Sequence, residues 1–184
     1  MLDEILRRAE NGEELSKEQI SFLLEQTEEE SVQKIFTAAR NVRNKHFGNK
    51  VFLYGFVYFS TYCKNNCSFC FFRAANGKPP RYRKQFDEII QTAKELADSG
   101  VHLIDLTMGE DPYYIDHPER LVELVKAVKK ETGLPVMVSP GLVPDSIIDR
   151  LANAGADWYA LYQETHNKEL FSKLRLNQRY DERF

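Results

Sequence analysis

Metal-binding side chains and charge of a single sign are both scarce in this sequence. Its 184 residues hold three cysteines, four histidines, three methionines and one tryptophan. An odd number of cysteines leaves one over from any disulfide pairing, and no signal-peptide pattern is read, which argues against a disulfide-stapled extracellular domain. No stretch runs long enough without charge to span a membrane. Basic and acidic residues nearly balance, 25 against 28, so no overall basic field would recruit nucleic acid. The one basic run, residues 78–84, reads as a solvated loop. Repeats and low-complexity segments are lacking. A chain that is 42% hydrophobic and 29% charged fits a globular domain with a real core, and a cytoplasmic enzyme is the default expectation.

All three cysteines fall in one stretch, as Cys63, Cys67 and Cys70. The spacing C-x3-C-x2-C lets a short loop turn three thiolates toward one point. Iron-sulfur cubes are commonly held by four thiolates, so a loop offering three would leave one iron open to a small molecule. Phe59, Tyr62, Phe69, Phe71 and Phe72 surround the thiols in sequence and predict an aromatic shell that excludes water. A structural zinc site would need a fourth ligand nearby, and the nearest histidines, His46 and His102, are distant and not in ligand spacing.

Up to Gly48 the pattern is helical, predicting a preamble over residues 1–48. Ser16 with Gln19, and Thr27 with Glu30, read as capping boxes ahead of apolar residues at helical spacing. From residue 49 the period changes. Residues 51–60 are apolar on both faces and read as a strand buried on both sides. Helices are predicted at 86–99, 118–131, 145–154 and 167–174, and strands at 101–107, 134–138 and 157–162. Four alternations of strand and helix argue for an α/β fold with a parallel sheet, whose chemistry would lie in loops after the strands. The cysteines follow the first strand, Met108-Gly109-Glu110-Asp111 the second, Ser139-Pro140-Gly141 the third and Gln163-Glu164-Thr165 the fourth. In the second strand the alternation turns Asp105 and Thr107 toward the barrel interior. Asp105 there is either held by a structural partner or receives a substrate ammonium. Ser139 is either a rim hydroxyl or part of a turn before Pro140.

The cysteine spacing, with Phe69 just before Cys70, resembles the signature loop of radical SAM enzymes. Segments 47–53, 58–67, 104–114, 136–141 and 161–165 together resemble the methylornithine synthase family, radical SAM mutases of pyrrolysine biosynthesis in the biotin synthase and hydrogenase-maturase branch. The resemblance implies a TIM-barrel-like fold, a 4Fe-4S cluster on Cys63, Cys67 and Cys70, and S-adenosyl-L-methionine (SAM) on the open iron. It implies that Phe69 lies against the adenine and that Met108, Gly109 and Glu110 match a motif whose backbone receives the cofactor's amino group. Gln163 and Glu164 would contact the cofactor, and Arg183 would grip its carboxylate bidentately. Ser139 is taken with this set, and Asp105 with Thr107 as substrate contacts. The implied reaction isomerises L-lysine to (3R)-3-methyl-D-ornithine, with flavodoxin or ferredoxin as reductant. Residues 49–184 supply about half of the eight units a closed barrel needs. The expectation is therefore a truncated form, or a half-barrel that pairs with a copy of itself or another half.

Replacing one ligand tests the thiol assignment. Cys67→Ala is expected to abolish iron and sulfide uptake on anaerobic reconstitution while helical content, read by circular dichroism, stays near that of the parent. Full iron and sulfide in the variant would refute the assignment.

Overall fold

The computed structural model describes residues 1–183, with Phe184 outside them. It divides into two units, one of Met1–Val51 and one from Phe52 onward. The first is three helices: α1 (Leu2–Glu10), α2 (Lys17–Leu24) and α3 (Glu29–Phe47). Ser16 caps α2 as a reciprocal capping box with Gln19, as the sequence predicts. The second expected box is not formed. Glu28, not Thr27, is the N-cap of α3, and it makes no side-chain cap hydrogen bond. Glu29 and Glu30 in the first turn instead stabilise the positive end of the helix by charge alone. Ile5, Leu6 and Ala38 are buried, while Ile20, Leu24 and Phe36 remain exposed, because a unit of three helices encloses few side chains.

The second unit is built on strands β1 (Tyr54–Ser60), β2 (Asn66–Cys67), β3 (Leu103–Met108), β4 (Val136–Ser139), β5 (Trp158–Tyr159) and β6 (Arg175–Leu176). Between them run α4 (Phe86–Asp98), α5 (Pro112–Asp116), α6 (Glu119–Thr132), α7 (Asp145–Asn153) and α8 (Lys168–Leu174). One sheet has the order β1-β3-β4-β5, with every pairing parallel. Its core is one-sided. Val57, Phe59, Ile104, Leu106, Val136 and Val138 pack beneath Ile89, Ala93, Leu124, Val125, Val128, Ile147 and Leu151 of the helices. Those helical residues recur at the three- and four-residue steps that set an apolar stripe.

The opposite face corrects the expectation that the first strand is buried on both sides. Tyr54 and Phe56 are exposed, and so is Trp158 of β5, because no layer covers these side chains among the described residues. Phe59 is also not part of a shell around the thiols. It points into the core and meets Tyr114 edge-on at 5.2 Å. The strand's alternation sends Phe59 to the helix side and leaves Tyr58 on the side of the thiols.

The end of β1, the start of α5 and the basic loop meet at Asp111. This carboxylate is fully buried, accepts a hydrogen bond from the Ser60 hydroxyl at 2.5 Å, and takes two from the Arg83 guanidinium at 2.8 and 2.7 Å. It also caps α5 through the Tyr113 amide at 3.0 Å. The run at 78–84 is therefore not simply solvated. Arg81 donates to the carbonyls of Phe72 (2.8 Å), Arg73 (2.7 Å), Asn76 (3.1 Å) and Thr61, clamping both ends of the cysteine loop.

Burial pushes the Asp111 carboxyl up, but Arg83 and Ser60 outweigh that and hold it below the usual carboxylate range. The pair's contribution is thus complete above the ordinary value near 4 and is lost as pH falls through the lower folded value. Asp111→Asn is expected to cost about 2 kcal/mol at neutral pH, below the value for fully buried pairs because Arg83 is one-third exposed. Urea unfolding from pH 7 down to about 2 checks both points: the gap between parent and variant should close on acidification.

Candidate cofactor site

The cysteine loop leaves β1 at Ser60 and has only the two residues of β2 as regular structure, so its shape is imposed from outside. β2 pairs antiparallel with β6, setting Cys67 opposite Arg175. The Ser68 amide donates to the Leu174 carbonyl at 2.8 Å, and the Lys64 amide to the Glu110 carbonyl at 2.9 Å. Gly109 lets β3 pass against this loop. A Cβ there would lie 2.5 Å from the Tyr62 carbonyl oxygen and 2.7 Å from Cys63 Cβ, which agrees with its reading as a point of close backbone approach.

A cavity of about 220 Å³ opens beside the loop. Its lining brings together Cys63, Cys70, Phe69, Thr107, Met108, Gly109, Glu110, Ser139, Glu164 and Arg183, ten of the thirteen residues singled out in the sequence. The other three, Cys67, Asp105 and Gln163, are not in that lining. Cys67 is buried with its sulfur against β6, accepting from Gln178 Nε2 at 3.1 Å and Arg175 at 3.7 Å. Asp105 lies fully buried on the inner face of β3. It accepts from the Thr107 hydroxyl at 2.7 Å and the Ser139 hydroxyl at 3.3 Å, and its Oδ2 has no partner. Ser139 is thereby more than a turn residue. Both polar atoms of the Gln163 amide are buried without a partner.

Burial raises the Asp105 carboxyl above its ordinary pKa, with the two hydroxyls only partly offsetting it. Burial likewise raises the Cys63 thiol, and burial followed by the nearby Cys70 and Cys63 pushes the Tyr58 phenol up to about 12. Tyr58 thus stays a neutral hydroxyl beside the thiols. The aromatic shell is more open than expected, since Tyr62, Phe69 and Phe71 are all exposed.

Arg183 is not a surface arginine. Its guanidinium is buried, pairs with Glu110 and donates to Gln178 Oε1 at 2.8 Å, while its Nε lacks a partner. Lys64 approaches the same Glu110 at 3.5 Å. Gly141, at φ +81°, accommodates that arrangement, because a Cβ there would collide with the Glu110 side chain. Arg175 and Gln178 are the residues that sequence reasoning missed. Arg175 binds Glu164 at 2.7 Å and the Tyr162 carbonyl at 2.6 Å. Glu164 itself is held at φ +70°, an uncommon conformation for a residue other than glycine. In sequence Arg175 directly follows the helix predicted at 167–174 and carries no motif, and only the β2-β6 pairing brings it to a thiol.

Three free thiols in one loop, beside a cavity lined by the buried Arg175 and Arg183, form a donor set that an iron-sulfur cluster and a small cofactor bearing a carboxylate would fit. Among the described residues no three His, Cys, Asp or Glu side chains could hold a single metal ion. A parallel α/β sheet with this loop at the end of its first strand is the architecture of radical SAM proteins, and the chain belongs to that family: the model of the radical SAM superfamily matches residues 57–184. Within it, the chain is 47% identical over 183 residues to 3-methylornithine synthase from Methanosarcina acetivorans, covering 100% of this chain and 52% of that protein. It is 34% identical to the [FeFe] hydrogenase maturase subunit HydE of Thermotoga maritima, covering 98% of this chain and 50% of the relative. The crystal structure of methylornithine synthase (PylB) superposes with a TM-score of 0.86 at 46% identity, over 97% of this chain and 53% of that one. The fold is thus TIM-barrel-like, and the chain spans about half the length of the curated relatives it matches.

Gly141→Ala is expected to destabilise the protein by about 2 kcal/mol, combining the left-handed backbone with displacement of Glu110. Denaturant unfolding gives the size, and a variant as stable as the parent would mean that Glu110 swings aside freely.

Proposed function

We propose that this chain carries the cofactor-binding half of a radical SAM mutase that isomerises L-lysine to (3R)-3-methyl-D-ornithine. The observation that carries it is the joint lining of one cavity by Cys63, Cys70, Gly109, Glu110, Glu164 and Arg183, which come from segments far apart in sequence. Cys63, Cys67 and Cys70 would hold a 4Fe-4S cluster, leaving one iron for SAM. With an electron from flavodoxin or ferredoxin, the cluster and SAM would supply a 5'-deoxyadenosyl radical that removes a hydrogen from the lysine side chain.

Arg183 is suited to grip a carboxylate, since its Nε is free of partners and its charge is already desolvated. Phe69 offers a ring at the cavity for adenine, and the 108–110 turn offers backbone at its wall. Gln163 and Glu164 complete the cofactor contacts. Asp105 would receive a substrate ammonium on its unpartnered Oδ2. An incoming cation would lower its raised pKa, so binding there releases a proton at low pH. Thr107 and Ser139 keep the carboxylate aimed by holding its other oxygen. The open inner face bearing Tyr54, Phe56 and Trp158 would be covered by a second barrel half, which would complete the substrate pocket.

Electron paramagnetic resonance of the anaerobically reconstituted, reduced protein tests the cofactor site. The signal of a reduced cluster is expected to shift on adding SAM; bound zinc without sulfide would overturn the proposal. A product assay with lysine, run on the chain supplied with a complementary barrel half, separates a lysine mutase from its branch neighbours.

A further inference from the structure

One contact lies outside the chemistry above. Gln178 Nε2 sits 3.1 Å from Cys67 Sγ, and an Arg175 guanidinium nitrogen sits 3.7 Å from the same sulfur. An amide's two ends are easily exchanged, but here the surroundings decide them. Gln178 Oε1 accepts from Arg183 at 2.8 Å and from Arg175 at 3.3 Å. Guanidinium groups only donate, so the oxygen must face them and the NH2 must face the sulfur. Arg175 is itself fixed by Glu164, the Tyr162 carbonyl and the ladder that pairs it with Cys67. It is 6% exposed, so its charge acts on the sulfur through little water.

Resting on the cluster assignment proposed above, we infer that Gln178 and Arg175 tune the cluster through Cys67, raising its reduction potential by stabilising the electron-rich thiolate. Hydrogen bonds to ligating sulfurs and nearby charge are two of the established controls on such potentials. A reduced cluster carries one more negative charge than the oxidised one. A fixed amide N–H and a guanidinium N–H, both directed at its ligand, therefore favour the reduced state, while Glu164 balances the net charge of Arg175. Of the three thiols, Cys67 alone receives two side-chain donors among the described residues; Cys63 meets backbone amides, of Asn65 at 3.5 Å and of Glu110. Both tuning residues are positioning groups: they touch a ligand, not the reacting atoms. The same guanidinium also holds Glu164 of the loop that would contact SAM, so it ties that loop to the cluster.

The test is a redox titration of the reconstituted full chain, followed by electron paramagnetic resonance, for the parent, Gln178→Leu, Arg175→Gln and Arg175→Lys. Gln178→Leu keeps similar bulk and removes the amide dipole. It is expected to raise the oxidised-to-reduced ratio at a fixed poise about tenfold, which is about 59 mV toward negative potential for one electron. Arg175→Gln should move it the same way and Arg175→Lys less. Should the Arg175 variants fail to fold, Gln178→Leu decides alone. Clusters that assemble in the variants with an unchanged midpoint would overturn this inference and leave the proposed function standing. A parent chain that takes up no cluster would overturn both.

Discussion

A carboxylate that is fully removed from water must find its neutralising partners inside the protein, and the upper rim of this sheet is arranged around one that does. Asp111 draws Ser60 from the end of β1, Arg83 from the basic loop and the first turn of α5 to the same point. Breaking any one contact would leave charge or a donor stranded in a dry place, so the segments are positioned together. The cysteine loop begins immediately after Ser60. Its two ends are held by Arg81 through four carbonyls, and its middle by the β2-β6 ladder. A loop with almost no regular structure thereby gains a defined shape without a core of its own.

The cavity beside that loop is electrostatically unusual because two arginines are buried there. Arg183 is balanced by Glu110 and Arg175 by Glu164, and Gln178 links the two guanidinium groups to a thiol. Each pair joins residues from different segments of the chain, so the charges that would meet a cofactor also hold the rim together. The unpartnered atoms, Asp105 Oδ2, the Gln163 amide and one nitrogen on each arginine, cluster in or next to these groups. Polar atoms without partners are costly inside a protein. Their concentration on one rim is what a site prepared for polar ligands requires.

Much of the fold was legible in order along the chain. The helical stripes led by Ile89, Leu121 and Ile147, the turn to apolar strands after Gly48 and the capping box at Ser16 all follow from spacings of a few residues. The thiols, too, are specified by their own short spacing, as is the alternation that turns Asp105 inward. These features depend on periodicity and covalent nearness, which a single sequence displays directly. Thr27 shows the limit even there, since Glu28 took the cap position and no side chain bonded to it.

Other features could only be decided by packing. Cys67 meets Arg175 and Gln178, Glu110 meets Arg183 and leans on Gly141, and Asp111 meets Arg83 across wide separations in sequence. Whether an arginine is a surface charge or a clamp, as with the half-buried Arg81 and the buried Arg183, depends on the carbonyls or carboxylates that the fold carries to it. Whether Phe59 shields a thiol or fills a core depends on which face of β1 the helices cover. Spacing along the chain governs which chemistry is available, whereas the desolvation and pairing that tune it exist only once distant segments have packed.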